Sequence, residues 1–343
     1  MYKVVIVVAK AFSLQRLLTL VLVLSLCLCA FSACQSPLRT PISRETFLLD
    51  TIVKITIYQG GGTQEIEDAF ALCRRYEELF SRTIPTSDIA RLNARTTNQA
   101  ADETAELLQL GLACAALTNG AVDITIGSVS SLWDFKANPP SLPDPAAITQ
   151  AVSHVGWQGV TVIGNTVTFA NDQTQLDVGA IAKGYIADKL KAFLVDKGVT
   201  SAIINLGGNI QCIGQKDWAT PFAIGIQRPF SGDIMATAQI TDLSMVTSGV
   251  YERYFTIGPT RYHHLLDPST GFPVQNDLLS VTIFCESSAT ADALSTACFV
   301  LGRQAATALI DSLEGVYAIF ITNDYQVHTT QNLRSHIPLT LHS

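Results

Sequence analysis

Beyond one long apolar run at residues 17–33, the chain alternates between strand-like and helix-like patterns. From Thr46, TFLLDTIVKITIY reads as a strand. Ile66, Phe70, Cys73, Tyr76 and Phe80 recur at helical spacing after Thr63, with Glu65, Glu67 and Asp68 near the start. A second helix is predicted from about Asp102 to Thr118, stopping at Asn119-Gly120. Residues 137–147 carry four prolines and read as a loop. VTVI and TVTF, joined by Gly164-Asn165, predict a hairpin. A helix from about Ala180 to Lys197 is closed by Gly198. Strands are predicted at 201–206, 222–228, 235–240, 250–257 and 279–285, then a helix at 289–301 ending at Gly302, then strands near 316–322 and 325–329.

Strands and helices are mixed without regular βαβ alternation, which predicts an α+β fold rather than a doubly wound sheet. No internal repeat or low-complexity linker divides the chain, so 46–331 reads as one domain, with 332–343 as a C-terminal tail. Residues 34–45, polar and containing two prolines, read as a tether.

The run at 17–33, LLTLVLVLSLCLCAFSA, is uncharged and follows Lys3, Lys10 and Arg16. A basic start followed by such a stretch is an export signal. It ends in Phe31-Ser32-Ala33-Cys34, which resembles a lipobox, so Cys34 is the expected lipidation site and the rest of the chain is expected outside the cytoplasm. An uncleaved signal anchor is the alternative. Residues 1–33 hold three cations and no anion, so the remainder carries 19 basic against 29 acidic residues, a formal −10. A net negative chain with no basic block is a poor nucleic-acid binder. Cys73, Cys114, Cys212, Cys285 and Cys298 lie in apolar contexts without a CxxC, and read as buried small hydrophobes.

Four segments carry candidate chemistry. Leu176 to Gly184, LDVGAIAKG, places an acid and small residues where a strand turns into a helix; free N–H groups there suit a phosphate, and Lys183 adds a cation. An Asp cap with small packing residues gives the same pattern. Asn205 to Ile210 places a Gly pair after a strand, a tight turn or a wall for a ligand. Asp292 and Thr296, four apart on a helix, share one face; a carboxylate and a hydroxyl are hard ligands suited to Mg²⁺, or alternatively a dipole partner and a back-bonded Thr. His263 and His264 precede an Asp267-Pro268-Ser269-Thr270-Gly271 turn; being adjacent on a strand, at most one faces a given site as a general base. No P-loop, early GxGxxG, GxSxG or HExxH is present.

In order along the chain, nine segments together resemble the FAD:protein FMN transferase family of ApbE type. They are Asp50-Thr51; Phe80-Ser81-Arg82 with Ser87-Asp88-Ile89; Gly120 to Thr125; Leu176 to Gly184; Ile204 to Ile210; Gly225-Ile226-Gln227; Ser248 to Arg253; His264 to Gly271; and Ala291 to Thr296. The resemblance covers about 46–330 and implies a single T-fold-like α+β domain. It implies transfer of FMN from FAD to a Thr or Ser hydroxyl of a target flavoprotein, with release of AMP. Members are often exported and lipid-anchored, which for this chain implies a membrane surface, the periplasmic face of the inner membrane in a Gram-negative cell. By the same analogy Mg²⁺ is held by the Ala180 carbonyl, Asp292 and Thr296. FAD meets Leu49, Ala121, Val122, Asp123, Asp177, Lys183 and Leu265, and His264 is the base. Leu49, Thr83 and Val122 stand where many members have Met, Tyr and Phe. Two other readings remain open: an FAD diphosphatase, and a flavin-binding lipoprotein without turnover.

Overall fold

The computed structural model describes residues 40–217 and 219–342; the apolar run, Cys34 and most of the expected tether lie outside the described residues. An antiparallel sheet of eight strands organises the fold, in the order β1 (Ile42–Leu48), β2 (Thr51–Gln59), β5 (Ser201–Leu206), β6 (Asn209–Ile213), β9 (Ser244–Gly249), β12 (Leu278–Cys285), β13 (Tyr317–Thr322) and β14 (Val327–Thr329). Three small sheets accompany it. They are β3 (Val160–Ile163) with β4 (Thr166–Phe169); β7 (Phe222–Gln227) and β8 (Ile234–Ile240) with β15 (Leu339–Leu341); and the ribbon of β10 (Tyr254–Ile257) with β11 (Thr260–His263). The helices are α1 (Thr63–Phe80), α2 (Asp88–Asn93), α3 (Asp102–Leu117), α4 (Gly127–Ser130), α5 (Pro145–Val152), α6 (Ala182–Asp196), α7 (Ser288–Asp311) and α8 (Leu333–His336). This is the expected α+β class.

Alternation explains the strand faces. Val53, Ile55 and Ile57 of β2 point into the core. β12 is buried along all eight residues, as its central place in the sheet requires. The helical-spacing residues of α1 are all buried, and its first turn is closed by the Gly62 N–H donating to Glu65 Oε2 at 2.8 Å. Helices α6 and α7 pack against each other and against the sheet. Gly184 permits that contact, because a Cβ there would lie 2.2 Å from the Ser288 carbonyl oxygen. The five described cysteines are buried free thiols.

Several boundaries differ from the sequence reading. The strand at 46–58 is a hairpin: β1 begins at Ile42, inside the segment expected as tether, and Leu49 and Asp50 form the turn with φ +55° and +59°. No Gly or Asn marks that turn, so the apolar run reads as continuous. The 137–147 loop gives way at Pro145 to α5, capped by Asp144, because proline is suited to a first helical turn. Of the strand expected at 250–257 only Tyr254–Ile257 (β10) is strand; residues 250–253 form the turn that follows β9. Gly302 does interrupt its helix (φ +74°, ψ 161°), but a further helical stretch continues to Asp311. Asn276 Nδ2 donates to the Phe299 carbonyl at 2.7 Å and satisfies one acceptor orphaned by the break. Residues 332–343 are no free tail: Leu333 and Ile337 are fully buried and β15 pairs with β8.

Candidate functional site

Asp292 sits in the second turn of α7, buried. Its Oδ2 accepts from the Gly184 N–H at 2.9 Å, across the α6–α7 contact. No hydrogen bond among the described residues reaches its Oδ1. Loss of water pushes the carboxyl up to about 6, against the pull of the Lys183 cation. Thr296 lies one turn further on the same face, as the spacing predicts, with its Oγ1 3.4 Å from Ser248 Oγ of β9. Ser248 in turn meets Ser295 Oγ at 2.7 Å, and Ser295 donates to the Asp292 carbonyl at 2.8 Å. Ser248 thus completes a hydroxyl cluster that only the β9–α7 packing assembles.

The turn entering α6 faces this group. Asp177 Oδ1 accepts from the Gly179 N–H at 2.9 Å and Oδ2 from Ser130 Oγ at 2.6 Å, with Arg82 Nε at 3.4 Å. Asp177 therefore shapes the turn that presents Ala180. Lys183 stands in the first turn of α6 without an ion-pair partner among the described residues. Its positive charge favours the ionised forms of Asp292 and Glu252 and the neutral ring of His264.

His264 follows β11. Its N–H donates to the Arg253 carbonyl at 3.1 Å, and its Nδ1 lies 3.3 Å from the same oxygen. A carbonyl only accepts, so a neutral His264 carries its proton on Nδ1 and leaves Nε2 with a free lone pair. Desolvation, with the Arg253 and Lys183 charges, pushes its pKa down to about 3, so the ring is neutral at pH 7. His263 points the other way, as adjacent strand residues must. It is buried, with Nε2 3.1 Å from the Val274 carbonyl.

Other expected contacts are used by the fold. Asp123 Oδ1 accepts from Thr125 N–H and Oγ1 at 2.8 and 2.6 Å, and Oδ2 from Trp157 N–H at 3.1 Å. Ala121, Val122 and Leu265 are buried, leaving their side chains in the core. Leu49 is held in its turn by its N–H donating to Glu77 Oε1 at 2.8 Å. Any ligand role for Ala121, Val122, Asp123 and Leu265 therefore falls to backbone atoms. Asn205 to Ile210 is a tight β5–β6 turn, with Gly207 and Gly208 at φ +63° and +94°.

The oxygen set around Asp292 is hard and contains one carboxylate. No group of three or more His, Cys, Asp or Glu side chains suited to a metal occurs among the described residues. A carboxylate and hydroxyls are hard oxygen donors of the kind Mg²⁺ prefers.

The pattern of the ApbE family matches residues 49–320. A Treponema pallidum protein named FAD:protein FMN transferase is 35% identical over 331 residues, 89% of this chain and 91% of that one. A Klebsiella pneumoniae protein of the same name is 34% identical over 274 residues, covering 77% and 85%. The solved ApbE protein of Thermotoga maritima superposes with a TM-score of 0.80 at 28% identity, covering 87% and 99%. The flavin transferase ApbE of Vibrio cholerae shares the fold, with a TM-score of 0.78 at 23% identity over 88% and 100%. With a match of this extent and the expected segments in order, the chain belongs to the ApbE family.

Proposed function

We propose that this flavin transferase moves FMN from FAD to a Thr or Ser hydroxyl of an acceptor flavoprotein with Mg²⁺ at Asp292, forming a phosphoester and releasing AMP. One observation carries this reading. The buried Asp292 carboxylate accepts from the Gly184 N–H at the start of α6 through Oδ2, leaves Oδ1 without a hydrogen bond among the described residues, and stands one turn before Thr296 on the same face. Splitting a pyrophosphate needs its charge neutralised and an acceptor in line.

Each residue then has a task. Asp292, the Ala180 carbonyl and Thr296 would hold the cation, which would supply charge withdrawal from the phosphates. Lys183 adds positive charge to the same phosphates. Leu49, the Ala121-Val122-Asp123 backbone, the Asp177 turn and the backbone at Leu265 line the way for the rest of FAD. His264 takes the acceptor hydroxyl proton on Nε2 while that oxygen bonds to the FMN phosphorus. The anhydride bond to AMP breaks and AMP leaves with the electron pair. Approach of anionic phosphates offsets the Arg253 and Lys183 charges that depress His264, and so strengthens the base when substrate is present. The enzyme is further proposed to act outside the cytoplasm, held to the membrane by lipid on Cys34.

The test is incubation with FAD, Mg²⁺ and a candidate acceptor domain, followed by intact mass of the acceptor. A covalent gain of one FMN, with AMP in equal amount, is the expected result. Free FMN and AMP without an adduct would make the protein a diphosphatase, and retained FAD without AMP would make it a carrier.

A further inference from the structure

The ribbon β10–β11 is a separate two-stranded sheet, and such ribbons are marginal alone. Its last pair is Tyr254 with His263, so Arg253 and His264 lie one step beyond it, at the open end. Among the described residues, the acid ion-paired with Arg253 is Asp50. Asp50, in the β1–β2 turn, lies 3.5 Å from Arg253 Nη2 and receives Lys136 Nζ at 2.6 Å. Both neighbours matter for His264. Arg253 supplies the carbonyl that faces its Nδ1, and Lys136 follows Phe135, whose ring stands edge-on to the imidazole at 6.5 Å.

We infer that Asp50 is a positioning residue: by tying Arg253 and Lys136 together it holds the two supports of His264 and so keeps the imidazole in its Nδ1–H form. This rests on the role given to His264 under the proposed function. The turn is built for a fixed anchor. Its register with Leu48 opposite Thr51 leaves only Leu49 and Asp50 at the tip, both in left-handed conformation, and Glu77 pins it from α1. Asp tolerates that conformation better than most residues. The ion pairs are exposed at 44% for Asp50 and 49% for Arg253, and such pairs contribute little to stability. Loss of Asp50 is therefore expected to be felt in the geometry of the base rather than in folding.

Asp50→Asn keeps the turn and removes the charge. The full chain is labelled with ¹⁵N-histidine, and the His264 signals are assigned with a His264→Gln variant. The wild type is expected to show a single Nδ1–H tautomer, and Asp50→Asn a mixture, with unchanged melting temperature and FAD affinity. Single-turnover FMN transfer is expected to fall ~10–100-fold, the usual scale for a displaced catalytic group. An unchanged tautomer in Asp50→Asn overturns the inference, as does a variant that transfers FMN at the wild-type rate. Should the wild type transfer no FMN at all, the proposed function fails, and the tautomer comparison still decides the role of Asp50.

Discussion

At the scale of single residues, the two adjacent histidines separate structure from chemistry. His264→Gln removes the lone pair on Nε2, and general-base catalysis is typically worth ~10²–10⁴-fold. Transfer is expected to fall by that much in single-turnover assays while FAD affinity stays. His263 behaves differently. Burial, ahead of the nearby Arg261 charge, lowers its pKa to about 4, while the unfolded chain keeps the ordinary value. The folded state then binds fewer protons than the unfolded one between these values, so stability present above pH 6.5 is lost as pH falls towards 4. The loss is about 3 kcal/mol at the full shift. His263→Gln keeps a donor for the Val274 carbonyl and should flatten that part of a stability–pH curve measured by urea denaturation; an unchanged slope would place the proton elsewhere. Asp292→Asn keeps an acceptor for Gly184 but removes the only carboxylate at the proposed metal position. Mg²⁺-dependent transfer should vanish while the circular dichroism spectrum is retained. Asp292, Thr296 and His264 were legible as types at a spacing. Strand geometry allowed only one of the two histidines to face the site and the family resemblance named His264, but its tautomer needed the Arg253 carbonyl, and Ser248 joins the cluster only through β9. The carboxylate of Asp123 looked available in sequence, yet three donors from Thr125 and Trp157 consume it.

At the scale of elements, the site depends on how closely α6 and α7 approach. Gly184→Ala would push a methyl against the Ser288 carbonyl, a backbone atom that cannot rotate away. Overpacking of this kind costs typically ~1–3 kcal/mol. The helices should also part, separating Lys183 and Ala180 from Asp292. Reduced stability in chemical denaturation and weaker Mg²⁺ dependence are expected together, whereas Gly232→Ala, where a Cβ meets nothing within 4 Å, should leave both unchanged. Long periodic elements such as α1, α3 and α6 were legible because burial enforces their spacing. The hairpin at Leu49-Asp50 and strands β6, β9, β11 and β15 were not, because tertiary pairing rather than local turn chemistry defines them. The β1–β2 turn shows the reason: two left-handed residues without glycine are stabilised by Glu77, Lys136 and Arg253, all distant in sequence.

At the scale of the whole molecule, charge bears on how the enzyme meets a membrane. Beyond residue 33 the chain has a formal charge of −10, so anionic lipid headgroups repel the domain rather than attract it. The proposed membrane attachment therefore rests on the N-terminal segment. A single acyl chain holds a protein only marginally, and stable anchoring takes two signals. The proposed lipidation at Cys34 would supply several chains at once and would leave residues 35–41 as the link to β1. At ~3.3–3.6 Å per extended residue, that link reaches no more than about 25 Å. An uncleaved apolar span would also hold the protein, so retention in the membrane fraction does not separate the two anchors. Mass spectrometry of the N-terminal peptide does. The expected peptide begins at Cys34 and carries acyl groups, and a fatty-acid label enters the wild type but not Cys34→Ser. A membrane-held wild type that begins at Met1 and takes up no label would establish the signal anchor and remove lipidation from the account.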